Sequence, residues 1–440
     1  MTVIWNDPAR AHVAATIQGA PCLDDWQDAL RRGTAPRFRQ SCWLKADCLQ
    51  PLIFASVKDN LLFLDPSLNY AAGTGNDLAL TLERNDIDFA STARTRNQSS
   101  IASAIEALGA TSAIYKGVVA TVSSDTLAQA AYNSLSSEIN ASLRSVLIND
   151  SRLSRGAVLS HLASAKAGSP IWGQAIGNWN SFAGDGNAAA ATSATGGFVY
   201  GLDHAYSDAV TIGLMGGYTQ IGMSVSERAS NADLETLQAG INLGGVHGGW
   251  SYKAGLLAAY NTVDTVRTAA VSGAFSQSLN SVQEILSAQA FVETGYAFIV
   301  DGARLEPFAG LAQVHLRNSG FAEQGGSAAL AAASQHNNVT FSWIGLRPET
   351  EMSLLGLEAT AKASAALQHA SAGNTSFAHG FAGGSAFTIN GASFARAMAL
   401  IEAGLAVKFD SGAELDLSYQ GQFASNAKSH GFNARLSAKF

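Results

Sequence analysis

From Pro170 to Phe440 apolar and polar residues alternate, the period of a β-strand with one dry and one wet face. Leu357, Ala359, Ala361, Ala363, Ala365 and Leu367 lie on one face, opposite Glu358, Thr360, Lys362, Ser364 and Gln368. Between Ala395 and Phe409, Ala397, Ala399, Ile401, Ala403, Leu405 and Val407 oppose Arg396, Glu402 and Lys408. Leu415, Leu417 and Tyr419 oppose Glu414, Asp416 and Ser418, and the chain closes with Phe432, Ala434, Leu436, Ala438 and Phe440 set against Asn433, Arg435, Ser437 and Lys439. Ordinary strands run to about 5–6 residues; these are long enough for the roughly 9–11 tilted residues that cross a bilayer. Their number comes to about twelve, even as in single-chain outer-membrane barrels. The predicted starts lie near Ile171, Thr195, Ala209, Leu234, Trp250, Val282, Arg304, Val339, Gly356, Ser393, Ala413 and Gly431.

The pattern ahead of this region differs. Leu61 to Phe89 holds short apolar or alternating runs separated by Asp65-Pro66 and Gly73-Thr74-Gly75-Asn76-Asp77, which is turn chemistry and predicts two or three strands. From Gln98 to about His161 the period becomes helical. Leu127, Ala131, Leu135, Ile139, Leu143, Val146 and Leu147 line up one apolar stripe, with Ser123-Ser124-Asp125 as its expected N-cap and Asn149-Asp150-Ser151 as its expected break. Residues 1–50 carry no sustained period and no signal-peptide pattern. The expected organisation is therefore an atypical, disordered or non-native segment (1–50), a short β-rich stretch (51–93), a helical linker (94–169) and a barrel (170–440). The chain is expected to be an incomplete or mis-started reading of a longer one, with a small disordered or partly helical tail as the alternative.

Composition changes the picture in three ways. No apolar run is long enough for a transmembrane helix, so a membrane could be crossed only by a closed barrel. Charged residues make up 14% and the net charge is −7, which argues against nucleic acid as a partner. The three cysteines, Cys22, Cys42 and Cys48, all precede the barrel and lack zinc spacing. No nucleophile elbow, zinc-protease or phosphate-loop motif occurs, so neither catalysis nor a cofactor is expected. Trp172, Trp179, Tyr218, Trp250, Tyr260, Tyr296, Trp343 and Tyr419 are candidates for aromatic girdles, some of them lumenal. Pro307 and Pro348 should each leave a ladder position unpaired.

A linker, a helix, about twelve strands and a terminal Phe440, in that order, resemble the C-terminal translocator of type V autotransporters. The resemblance covers roughly residues 61–440, and the run Leu78 to Asp86 followed by Thr95-Arg96-Asn97-Gln98 is similar to the seam where a β-helical passenger ends. It implies an all-β outer-membrane barrel of about 12 antiparallel strands, monomeric, with a pore helix. The partners it implies are outer-membrane lipid, the barrel-assembly machinery and the chain's own passenger, which would be exported and anchored at the cell surface. It also makes Phe440, Ala438, Leu436 and Phe432 the assembly signal. Glu358, Lys362, Arg396, Glu402, Lys408 and Arg435, with Glu414 and Asp416, would form a mixed-charge lumen face able to hold a polar-faced helix. Some members of the family cut the passenger free at a helical Asn-Asn. Here Glu138-Ile139-Asn140-Ala141 stands in that place with Ala141 as the second residue, and an uncut, exposed Asn140 is the preferred expectation. A stand-alone porin or barrel hydrolase is the alternative, but a porin has no use for a long helix ahead of its first strand.

Overall fold

The computed structural model describes residues 2–7, 11–17, 54–72, 77–164 and 171–438. The three cysteines and the terminal Phe440 lie outside them. The chain divides into two compact units, and each is taken by itself.

The first unit holds residues 1–94, 101–135 and 270–276. Strands Thr2–Asp7, Ala11–Ile17 and Phe54–Lys58 form one antiparallel sheet, and Leu64–Ala72 pairs with Asp77–Arg84 in another. Helices α1 (Arg96–Leu108), α2 (Ala113–Thr121) and α3 (Asp125–Leu135) follow. Their apolar sides bury Ile105, Ile114, Val118 and Leu135. The Phe63 and Phe89 rings meet at 4.5 Å, and the Arg84 guanidinium covers both while its Nη2 donates to Glu106 at 2.8 Å. Tyr132 is fully buried, its hydroxyl bonded to Thr92 and Phe89, and burial pushes its pKa up to about 12.

The second unit is a closed barrel. Its strands are β1 (Ile171–Phe182), β2 (Ala191–Ser207), β3 (Val210–Val225), β4 (Ser230–His247), β5 (Trp250–Val271), β6 (Phe275–Tyr296), β7 (Ala303–Asn318), β8 (Gln335–Leu354), β9 (Leu357–Ala370), β10 (Ala397–Lys408), β11 (Glu414–Phe423) and β12 (Ala427–Ala438). Each pairs antiparallel with its sequence neighbour, and β12 returns to β1 with Ala438 opposite Ile171 and Ala427 opposite Phe182. Closure leaves no strand edge to face hydrocarbon with unpaired amides. Positions whose partners sit on the other side of the wall alternate strictly: on β2, Phe198, Tyr200 and Leu202 are exposed outward while Val199 is buried inward.

Glycine-bearing turns such as Gly248-Gly249 and Asp301-Gly302, with positive φ, close one end. The opposite end carries the longer loops, where strands Phe321–Ala322, Leu330–Ala332, Ser376–Phe381 and Phe387–Asn390 form a small separate sheet, the cap. Of the two prolines in the wall, Pro307 keeps its place opposite Leu346. Pro348 coincides with a gap: between the pairs Leu346–Ala365 and Glu349–Lys362 the β8–β9 register has no partners for Arg347 and Pro348. The missing N–H explains the break.

The helical stretch departs from the expected boundaries. Its apolar stripe is divided at Ser136-Ser137, where Ser137 adopts φ 50°, and α4 runs unbroken from Glu138 to Ser164. Asn149, Asp150 and Ser151 therefore lie in mid-helix. Asn149 and Asp150 find partners on the barrel wall, and Ser151 Oγ bonds back to the Ile148 carbonyl, so none of them needs to cap a helix end.

Candidate functional site: a helix inside the barrel lumen

At 27 residues α4 is about 40 Å long, enough to cross a hydrocarbon layer of about 30 Å. Its apolar side, Leu143, Val146, Leu147 and Val158, joins one buried cluster with lumen-facing Ile176, Val199, Ile221, Leu257 and Phe291. The polar side is bonded to the wall along its whole length. Near its start Glu138 accepts from the Ala189 amide and from Arg228 Nε, both at 2.8 Å. Arg144 Nη2 donates to Asn318, and its guanidinium lies 3.8 Å over the Phe377 ring. Asp150 accepts from Thr195 and Asn180. Arg152 donates to Gln420, Ser154 to Gln238, and Arg155 to Gln289 while facing the Phe341 and Trp343 rings. Towards the end, Arg435 donates to Ser160, and His161 contacts Asp203 and stacks on Trp172.

The mixed-charge lumen face thus holds the helix mainly through neutral groups. Arg144, Arg152 and Arg155 take side-chain amides and aromatic faces, and acid–base contacts from helix to wall include Glu138–Arg228 and His161–Asp203. The charged wall residues instead neutralise one another. Lys253 bonds Glu293, Arg347 reaches Glu293 and Glu306, and Arg304 bridges Glu306 and Glu349. A neutral amide offers the guanidinium an acceptor without desolvating a second charge.

The residues singled out by sequence fall in several places. Lys362 and Arg435 both meet Asp416 in the lumen, at 3.0 and 2.7 Å. Glu402 lines a cavity of about 120 Å³ beside α4, together with Arg152, Arg347, Lys362 and Gln420. Glu358 and Lys408 pair with each other, but with side chains 81% and 56% exposed they stand at the rim rather than in the interior. Arg396 is not part of the lumen lining: it sits at the bend before β10 and is exposed, because the strand starts one residue later. Trp172 and Trp343 are lumenal, whereas Trp179, Trp250, Tyr260 and Tyr296 face outward. In the last strand Phe432 and Leu436 face outward and Ala438 pairs with Ile171; Phe440 lies outside the described residues. The Lys253–Glu293–Arg347–Glu306 network escaped the sequence reading, although each member occupies a lumen-side position of the alternation and parity alone would have found it.

Asn140 is buried, not exposed. Its Nδ2 donates to Ser137 Oγ at 2.9 Å, and its Oδ1 accepts from Gln283 at 2.8 Å. The next carbonyl, Ala141 O, accepts from Thr375 Oγ1 at 2.6 Å, and the Ser142 hydroxyl accepts from the Ala392 amide. Gly391 passes so close that a Cβ there would strike the Ala141–Ser142 backbone at 2.3–2.4 Å. The start of α4 is therefore clasped by the loops that carry the cap.

Residues 171–420 match the family model described as Autotransporter beta-domain. Two curated Serratia marcescens proteins, each named "Extracellular serine protease", are 28% identical over 88% of this chain, which spans 42% of their length. Among solved structures, the translocator domain of autotransporter NalP from Neisseria meningitidis aligns with a TM-score of 0.59 at 14% identity, covering 69% of this chain and 100% of that one. The β-domain of the Bordetella autotransporter BrkA aligns over 62% of this chain and 99% of its own, at 18% identity and a TM-score of 0.45.

Proposed function

The chain belongs to the autotransporter family, and from that premise we propose that it exports the segment preceding its barrel and anchors it at the cell surface. The observation that carries this reading is α4, which threads the lumen with its first turn at the long-loop end. A chain entering α4 thus arrives from the outer side of the outer membrane. The barrel is the translocator, without catalytic work or cofactor of its own, and insertion depends on the barrel-assembly machinery. Residues 51–93 are the end of the passenger and 94–169 its linker.

A helix with side chains is about 10–12 Å across, and a barrel of twelve strands lies between side-chain-filled and open-channel sizes. With the helix in place only the side cavity remains, so the purified chain in a planar bilayer should conduct weakly and intermittently. Deleting residues up to Ala167 should raise conductance to a steady, larger value. Equal, large conductance in both forms would make the chain a porin.

The same reading makes Asn140–Ala141 the bond at which a passenger would be released. What supports it is burial of Asn140 with both ends of its side-chain amide held; attack of Nδ2 on the Asn140 carbonyl carbon would close a succinimide and release the Ala141 amine. Mass spectrometry of barrel from outer membranes should find a fragment starting at Ala141, absent from Asn140→Gln. An intact chain in the parent protein would end this part of the proposal.

A further inference from the structure

The lipid-facing wall is not uniform. On most strands its outward residues are large and apolar, but across β4 to β7 they enclose a shallow depression of about 610 Å³. Leu243, Leu256, Val292 and Leu311 form its sides, and the small Ala254 and Ala290 form its floor. At its upper edge the outward face of β7 changes from Leu311 to Gln313, His315 and Arg317, and that of β8 from Ile344 to Thr340, Asn338 and His336. The register pairs them as a polar ladder: Gln313 with Thr340, His315 with Asn338, Arg317 with His336.

The ladder is built rather than scattered. Thr340 Oγ1 donates to Gln313 Oε1 at 2.6 Å, and His315 Nδ1 bonds Asn338 Oδ1 at 2.7 Å, which turns Nε2 away from the wall. The His315 and His336 rings stack at 6.1 Å, with the exposed Arg317 beside them. On β6 the residue opposite His315 is the small Ala288, and Leu286 stands opposite Arg317. The outward faces of β4 and β5 carry the opposite charge, Asp233 opposite Asp264 with Glu235 nearby. A guanidinium and two imidazoles thus stand together on one flank, directly above an apolar trough.

We propose that this flank binds an anionic, phosphate-bearing lipid of the outer leaflet, its acyl chain in the β4–β7 trough and its phosphate on His315, Arg317 and His336. Charge complementarity selects the headgroup: a guanidinium and two imidazoles present forked and single N–H donors suited to phosphate. The apolar trough selects a lipid over a free anion, since an acyl chain can pack against Leu243, Leu256, Val292 and Leu311 by van der Waals contact and a free anion cannot. The site would tie the barrel to outer-leaflet lipid on one side. It rests on the outer-membrane location of the barrel and not on passenger export.

The test is lipid retention by the full chain in neutral detergent, read by native mass spectrometry with three probes: diphosphorylated lipid A, phosphatidylcholine and inorganic phosphate. Lipid A should be retained, and phosphatidylcholine should not. His315→Gln/Arg317→Gln/His336→Gln should weaken retention by roughly tenfold or more. Ala290→Trp, an apolar replacement on the lipid face that fills the trough, should do the same while heat-modifiable mobility shows the barrel intact. Equal retention of phosphatidylcholine, displacement of lipid A by inorganic phosphate, or unchanged retention by both variants would each overturn the proposal.

Discussion

Glu323 and Arg267 hold the cap to the barrel, and removing one of them should be far more damaging than removing both. Their side chains are each 2% exposed and meet in a forked contact, Nε to Oε1 at 2.7 Å and Nη2 to Oε2 at 2.6 Å. Glu323 also accepts from the Leu330 amide at 2.9 Å and from Ser137 Oγ at the start of the pore helix. Arg267→Ala would strand a buried carboxylate, a loss of about 3–5 kcal/mol. If the cap opens as a local unit, that energy raises its open population by roughly two to four orders of magnitude. The assay is amide hydrogen exchange of Leu330 and Glu323, whose N–H groups donate to the Glu323 carboxylate and the Leu330 carbonyl. Protection of both should fall by that factor, and Arg267→Met/Glu323→Leu should recover most of it at the residue 323 amide, because no charge is then left unpaired, while the Leu330 amide has lost its acceptor. A fall of less than about tenfold in Arg267→Ala, equivalent to about 1.4 kcal/mol, would show that the pair is not what holds the cap shut.

Two further outcomes are expected. His379 lies in the cap against the Phe377 and Phe387 rings, and burial, helped by Arg267 and Arg144, drives its pKa down to about 3. The unfolded cap then binds the proton first, so cap stability should be full above about pH 6.5 and fall by about 1.4 kcal/mol per unit between there and pH 3. His379→Phe should remove that slope in exchange measurements corrected for intrinsic rate, and an unchanged slope would acquit His379. Phe440→Ser should lower the yield of heat-modifiable barrel in outer-membrane fractions, and normal insertion would count against the terminal assembly signal.

Most of the barrel was legible in the sequence because a wall between lipid and a polar lumen imposes period two on every residue it contains. The starts expected near Ile171, Trp250 and Ala413 coincide with observed strands to within a residue, and even β12 could be read from Phe432, Leu436 and their polar alternates. The presence of a helix ahead of the strands followed from its stripe in the same way. Its boundaries did not, since a helix end is decided by who satisfies the polar side chains. Asn149 and Asp150 look like a terminus until Asn180 and Thr195, from strands later in the chain, supply their hydrogen bonds.

What the tertiary structure decided is the identity of partners. Alternation says that Lys362, Glu402 and Arg435 point inward, but not that Arg435 meets Asp416 or that the helix residue Arg155 meets Gln289 and two rings. Strand stagger sets which residues share a level, and stagger is a property of the closed sheet rather than of any one strand. The same stagger lifts Glu358 and Lys408 to the rim, brings Asn140 under Thr375 and Gln283, and aligns Ala254, Ala290 and Leu311 into one trough. Each of those residues is ordinary where it stands in the chain, and only the pairing of distant strands gives them a common address.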